Sequence, residues 1–483
     1  MNQLIILLLA AVSIIPKPAV VVELNGNCKA SRAQTPQVTL SPALKSEAYI
    51  LDIDRKGVRI CAGGDAGVFY ARETLAQLGP GALPCVHIED APAFDYRGMM
   101  LDCSRHFWTV DEIKTILDLL AMHKINTFHW HLTDDQGWRI EIKKYPELTR
   151  VGNYRPYTVS WPGWHPDGWI PDGVPVDGFY TQEQAREIIE YAAERHIAVI
   201  PEIEIPGHST AALASYPWLG CRGEGYQVAC KWLISKDVYC PGKESTFAFL
   251  KGVLDEIMDL FPSEYIHIGG DECKKEEWEK CPNCQKRIAD EGLRDEKELQ
   301  SYTIRRIERH VRSRGRKIIG WDEISEGGLS TTAVVMSRFG PPSVKRVIQN
   351  GNFVILCPGE HCYFDYYQNP DNAAEPRAHK GGNGNLNLEK AYKLNPRNNY
   401  TPAELAMVKG VECCLWTEYV PVMSHLEYMI LPRLDAFSEA AWTGGDRDFD
   451  DFHARVQVMA RRYDALGLNY ARHYIGAKPD FEK

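Results

Sequence analysis

Positive charge is in short supply: 55 Lys and Arg stand against 65 Asp and Glu in 483 residues, giving a net charge of -10 and a pI near 5.9. A nucleic-acid or anionic-membrane surface needs clustered cations, so the deficit argues against both and points to a neutral partner. Beyond the opening residues, no stretch supplies the roughly 20 uninterrupted apolar residues of a membrane-spanning helix. No glycine-rich dinucleotide or phosphate fingerprint follows a strand-like run, and tandem repeats and low-complexity tracts are absent. Only one CxxC occurs, Cys281 and Cys284, near Cys273 in CKKEEWEKCPNC. Without a second ligand pair at finger spacing, these read as structural cysteines, reduced or disulfide-bonded, rather than as a zinc site. No metal and no cofactor are expected.

What is present is size and apolar content. A 54.7 kDa chain that is 44% apolar can bury a large core and suggests two domains. The opening MNQLIILLLAAVS resembles the apolar core of a secretory signal, although basic residues do not precede it and no small-residue cleavage site follows. Residues 1–14 are read as that segment, and export to the periplasm or medium is expected. Fourteen cysteines are many for a cytosolic enzyme and are compatible with disulfides in an oxidising compartment, with pairing that spacing does not reveal.

The chain changes style near residue 92. Before it, alternating runs such as EAYILDIDRKGVRICAG and the helical pattern AGVFYARETLAQL predict a small α+β domain over 15–92, ending at the linker EDAPAFD. After it, YRGMMLDCS, INTFHWHLT, IAVIPEIEI, YIHIGG, KIIGWD, TAVVMS, FVILCPG and VKGVECCLW read as strands, several separated by amphipathic segments such as VDEIKTILDLLAMHK and TQEQAREIIEYAAERH. Strands alternating with helices imply a parallel sheet, and eight of them favour a closed (β/α)₈ TIM barrel over 93–445. Residues 446–483 read as a helical extension packed on it.

Barrel sites are built where strands end. Here those ends are polar: Arg105 after the first strand, Asp134 and Asp135 after the second, Glu204 and His208 after the third. Asp271 and Glu272 follow the fourth, Trp321 and Asp322 the fifth, Trp416 and Glu418 the eighth. In YIHIGGDEC, Gly269 and Gly270 free the backbone to aim two sequential carboxylates at one mouth. Neighbouring carboxyls oppose each other's ionisation, and an apolar wall raises the pKa of the less solvated one. One then donates a proton while the other stays charged, the division of labour that glycoside cleavage needs. An Asp-Glu pair alone would more often be a solvated helix start; its place after a Gly-Gly strand end shifts the balance.

HIGGDE, with RGMMLDCSRHFW, NTFHWHLTDDQGWRIEI, PEIEIPGHS, IGWDE, YFDYYQ and LWTEY in that order, resembles glycoside hydrolase family 20, the β-N-acetylhexosaminidases; CPNCQKRIADEGL is similar to its bacterial members. The resemblance spans most of the chain, including the IIPKP opening of the small domain. It implies a retaining exo-glycosidase acting on terminal β-linked N-acetylglucosamine or N-acetylgalactosamine of a glycan or oligosaccharide. In that family the substrate's own acetamido oxygen attacks the anomeric carbon, through an oxazolinium intermediate. By the same resemblance Glu272 is the general acid/base and Asp271 orients and stabilises the acetamido group. Arg105 and Glu418 hold the outer hydroxyls, and Asp134 and His208 support the acid from behind. Tyr363 bonds the acetamido carbonyl and Asp365 positions the ring, while Trp321 and Trp416 wall the acetamido pocket and the ring.

One departure stands out. Relatives often read MSWRG after the sixth strand, with the tryptophan lining the acetamido pocket, whereas this chain reads MSRFG, Ser337 to Gly340. Phe339 substitutes, the loop shifts, or the pocket is more open. Glu412 stands where relatives often have Gln, and the loop carrying Trp161, Trp164 and Trp169 suggests an outer sugar subsite or loop packing. Two other classes compete: a non-catalytic sugar-binding protein, and a metal-dependent barrel hydrolase using His129, His131, His208 and Asp271.

Overall fold

The computed structural model describes residues 12–161, 169–369, 375–379 and 384–475. Most of the signal-like opening, residues 1–11, and Trp164 lie outside them, as does the side chain of Trp161.

The chain opens with a five-stranded sheet: β1 (Val20–Cys28), β2 (Gln37–Leu40), β3 (Tyr49–Asp54), β4 (Gly57–Ala62) and β5 (Leu83–Asp90), in the order β1-β5-β3-β4-β2. The β3–β4 hairpin alternates as the sequence alternates: Tyr49, Leu51 and Ile53 point inward and are buried. They pack on helix α1 (Asp65–Gln77), whose Tyr70 and Ala71 are fully buried in the same core. β1 was not legible in the sequence because eight of its nine residues are partly or fully exposed.

The barrel strands are β6 (Tyr96–Asp102), β7 (Thr127–His131), β8 (Ala198–Glu202), β9 (Tyr265–His267), β10 (Lys317–Trp321), β11 (Val334–Ser337), β12 (Phe353–Leu356) and β13 (Val408–Leu415). Each pairs in parallel with its sequence neighbours, and β13 closes on β6 with Val411 beside Arg97 and Leu415 beside Leu101. All eight fall inside the apolar runs that predict them, because parallel strands covered on both faces need apolar residues throughout. Several are shorter than those runs; β9 has three residues.

Several of the helices begin where a side chain caps them. Helix α2 (Val110–Met122) starts with a capping box between Thr109 and Glu112, and α3 (Gln182–Ala193) with one between Thr181 and Gln184. α2 buries Ile113, Ile116, Leu117 and Leu120, one face at helical spacing. After β8 come a 3₁₀ turn at Pro217–Leu219, a long loop and helix α4 (Glu244–Leu260). After β9 come α5 (Glu276–Lys280), α6 (Pro282–Asp290) and α7 (Glu296–Ser313). Toward the end, α8 (Arg433–Trp442) is buried throughout, and α9 (Phe449–Leu466) holds it through Arg455, which pairs with Glu439 at 2.6 Å. No described helix is long and apolar enough to cross a membrane. All fourteen cysteines are described, and none is in a disulfide.

Candidate active site

At the end of β9 the backbone turns through two left-handed glycines, Gly269 at φ 63° and Gly270 at φ 97°. Side chains are excluded there: a Cβ on Gly269 would lie 1.8 Å from Glu204 Oε2, and one on Gly270 2.2 Å from Ile324 Cγ2. Two residues later Glu272 is itself left-handed at φ 46°, as is His208 on the neighbouring loop. A non-glycine residue in that region is strained. The turn sends Asp271 and Glu272 into one cavity of about 290 Å³. Of the strand-end residues, Arg105, Asp134, Glu204, His208, Trp416 and Glu418 line the same cavity, with Tyr363 and Asp365 after β12, whereas Asp135 and Asp322 do not.

Behind the pair runs a chain of charges. Arg105 reaches Asp134 at 2.9 Å and Asp102 at 3.1 Å, lies 3.7 Å from Glu418, and sits 5.2 Å over the Trp416 ring. It is thus salt-bridged within the barrel and also a wall of the cavity. Asp134 also meets His131 Nε2 at 2.9 Å and His208 Nδ1 at 3.1 Å. The far nitrogen of His208 faces Glu272 at 3.6 Å and Asp271 at 3.8 Å. Burial would raise the Asp134 pKa, but Arg105 and His208 hold it well below the usual range. Burial likewise opposes charge on His208, and Asp134 overrides it, pushing that pKa well up.

The two sequential carboxyls shift in opposite senses. Burial raises Asp271 against the pull of His208 and Arg338. Glu272, whose side chain is 33% exposed, is lowered, chiefly by His208. The pair is differentiated as expected of neighbouring carboxyls, but in the open site the expected proton donor has the lowered pKa and the expected anion the raised one.

Five buried polar atoms here make no hydrogen bond within the protein: Glu204 Oε2, His208 Nε2, Asp271 Oδ1, the Tyr363 hydroxyl and Asp365 Oδ1. Uncompensated polar groups are rare in protein interiors, and several around one cavity suit a ligand rich in hydroxyl and amide groups. Burial, with Glu418 next, raises the Asp365 pKa well above normal, and burial with Asp271 does the same to Glu204.

Two expectations change. Trp321 is fully buried, donates to Glu202 at 2.9 Å and packs its ring 5.8 Å from that of Trp416, so it backs the cavity wall instead of forming its surface. Phe339 does not replace the missing tryptophan: it is 49% exposed and lies outside the cavity, under the Arg338 guanidinium. Arg338 itself faces the cavity, 3.7 Å from Asp271 and 3.8 Å from Glu272, and is ion-paired with Glu323. Burial lifts the Glu323 pKa to about 7 in spite of that arginine. Tyr366, His379 and Ile234 also line the cavity; they sit on loops without a strand-end position to single them out.

Of the histidines of the metal-hydrolase reading, His129 and His131 are engaged by carboxylates away from Asp271. His129 lies between Glu202 at 3.0 Å and Glu412 at 2.8 Å, and both nitrogens of His131 face Glu202 and Asp134. Burial disfavours a charged His129, yet Glu412 and Glu202 lift its pKa to about 9, which gives the glutamate at 412 a reason: it is the counterion. Trp169 lies under the Lys231 ammonium at 5.6 Å.

Comparison with known proteins agrees with the geometry. Residues 94–445 match the catalytic-domain model of glycosyl hydrolase family 20, and residues 18–91 match the model of its domain 2. A β-hexosaminidase of Porphyromonas gingivalis is 45% identical over 442 residues, 88% of this chain and 55% of that protein. One from Vibrio furnissii is 41% identical over 416 residues, 82% of this chain and 66% of that protein. The chain thus spans between about half and two thirds of these relatives. A family 20 exo-β-N-acetylglucosaminidase of Vibrio harveyi, solved with N-acetylglucosamine, superposes with a TM-score of 0.86 at 32% identity, covering 95% of this chain and 78% of that one. Barrel, strand-end acids and both matched segments lead to one conclusion: the chain belongs to glycosyl hydrolase family 20.

Proposed function

We propose that this chain is a retaining exo-β-N-acetylhexosaminidase that releases terminal N-acetylglucosamine or N-acetylgalactosamine by substrate-assisted catalysis. The observation that carries the reading is the sequential pair Asp271 and Glu272, turned into one small polar cavity with His208 and Asp134 behind it. A volume of about 290 Å³ is at the low end for ligand sites and suits a single terminal sugar.

Sequential residues on one strand end are badly placed to attack the sugar from the face opposite the acid, as a protein nucleophile must. The acetamido carbonyl is already tethered to C2, and its effective concentration is high once the arm folds beneath the ring. Its oxygen bonds to the anomeric carbon as the glycosidic bond breaks, and the Glu272 proton goes to the leaving oxygen. Asp271 faces the amide N–H as that group gains positive charge. Water then gives its proton to the Glu272 carboxylate and opens the oxazolinium at the anomeric carbon, so configuration is retained. Arg105 and Glu418 take the outer hydroxyls, Tyr363 the acetamido carbonyl, Asp365 the ring hydroxyls, and Trp416 stacks on the apolar face.

Glycosides with a 2-acetamido group and with a 2-hydroxyl group test this reading. Turnover of the first only, and strong inhibition by the matching thiazoline, is expected. Hydrolysis of the 2-hydroxyl glycoside at a similar kcat, or covalent trapping of a carboxylate by a 2-fluoro glycoside, would overturn it.

A further inference from the structure

Cys221 and Cys240 from the loop after β8, and Cys281 and Cys284 from the segment after β9, bring four sulfurs together, all within 4.8 Å of each other. Three of the separations are 3.8 Å for Cys221–Cys284, 3.7 Å for Cys240–Cys281 and 3.5 Å for Cys240–Cys284. A disulfide requires about 2.05 Å, and each sulfur can bond covalently to only one partner, whereas here Cys240 and Cys284 each have two close neighbours. The edge of a tetrahedron of thiolates around Zn²⁺, with Zn–S of about 2.3 Å, is about 3.8 Å.

The backbone is shaped for this cluster. Cys281 and Cys284 form a knuckle, Cys-Pro-Asn-Cys, at the N-terminus of the nine-residue helix α6, where the helix dipole favours thiolate. The other pair is separated by 18 residues, and the bridge between Gly220 and Tyr239 draws it together, with Cys240 N donating to Leu219 O at 2.9 Å. The two halves touch at Gly242, where a Cβ would lie 2.3 Å from the Asn283 carbonyl carbon and 2.5 Å from Cys284 N. Cys273, the third member of the sequence triple, takes no part: its sulfur turns to Lys274 O at 3.7 Å.

We propose that Cys221, Cys240, Cys281 and Cys284 form a structural tetrathiolate site for a soft divalent cation of the zinc class. Four sulfurs fill the tetrahedron and leave no open position for water or substrate, so the ion staples and does not catalyse. It fastens the loop between β8 and α4, which carries the cavity residue Ile234, to the segment that follows Glu272. This role is independent of which glycoside is cleaved.

The test is metal analysis of the full chain purified after expression with zinc, and again after cobalt substitution. One zinc per chain is expected, with intense thiolate-to-cobalt charge-transfer absorption in the cobalt form. Cys284→Ser should abolish the stoichiometric zinc and lower Tm, while Cys273→Ser retains the metal. If the Cys284 variant does not fold, the cobalt spectrum of the unmodified chain decides alone. No bound metal overturns the proposal, whether the denatured protein shows all fourteen thiols free or a mass lower by the four hydrogens of two disulfides.

Discussion

Glu272 meets the proposed catalytic cycle with a lowered pKa, held there by His208 while a third of its side chain is in water. A sugar that seals the cavity removes that water, which favours the neutral acid. Since kcat/KM reports the free enzyme and kcat the complex, the basic limb of kcat should lie at higher pH than that of kcat/KM; coincident limbs would show that binding does not tune the acid. Glu272→Gln should remove most activity toward poor leaving groups and far less toward an activated aryl glycoside, and equal losses on both would exclude it as the proton donor. Arg338 acts on the partner. After His208, it helps keep Asp271 ionised against burial, so Arg338→Met should move the acid limb of kcat/KM to higher pH and lower the rate on that side. An unmoved limb would mean the guanidinium is not setting that charge. Asp271, Glu272, Arg105 and Asp134 were legible because each follows a recognisable strand. Arg338 was visible only as a departure from a motif, and its direction relative to Phe339 depends on a loop whose path no periodicity encodes.

The elements that aim these residues are short. β9 contributes three residues before the glycines take over, so its role is to deliver a turn more than to extend a sheet. Gly269→Ala should drive a methyl group into the Glu204 carboxylate and add left-handed strain of about 1–3 kcal/mol. At least a hundredfold loss of kcat is expected, with a lowered but cooperative unfolding transition; near-normal turnover would show that the turn tolerates a side chain. The eight strands could be read from sequence because burial on both faces leaves an unbroken apolar signature, and α2 and α3 because their apolar residues recur at helical spacing. β1 could not, since a mostly exposed strand has no such signature. The four-cysteine cluster was hidden for another reason: half of it is assembled by a single bridge across 18 intervening residues, which no local spacing rule contains.

Across the molecule, the small sheet and the barrel share buried charge. Asp90 at the end of β5 accepts from Tyr49 at 2.6 Å, from Lys124 at 2.8 Å and from the Trp442 indole at 2.8 Å. Lys124 belongs to the turn between α2 and β7 and Trp442 to α8, so one carboxylate joins three regions. Burial lowers the Lys124 pKa while Asp90 opposes the shift. Asp90→Ala would strand that ammonium, at a cost of about 3–5 kcal/mol, read as a fall in the denaturant midpoint. Adding Lys124→Met should restore part of it; a double variant as unstable as the single one would place the loss elsewhere. Barrel closure has a further consequence, for synthesis. The edge of β6 that finally pairs with β13 waits while some 300 residues are made between Asp102 and Val408, on the order of tens of seconds at ribosomal speed. Throughout that interval a strand destined for full burial presents an unpaired edge to the cell, and Arg105 has emerged long before Glu418. A nascent chain therefore carries its aggregation risk early and its ability to grip a sugar last.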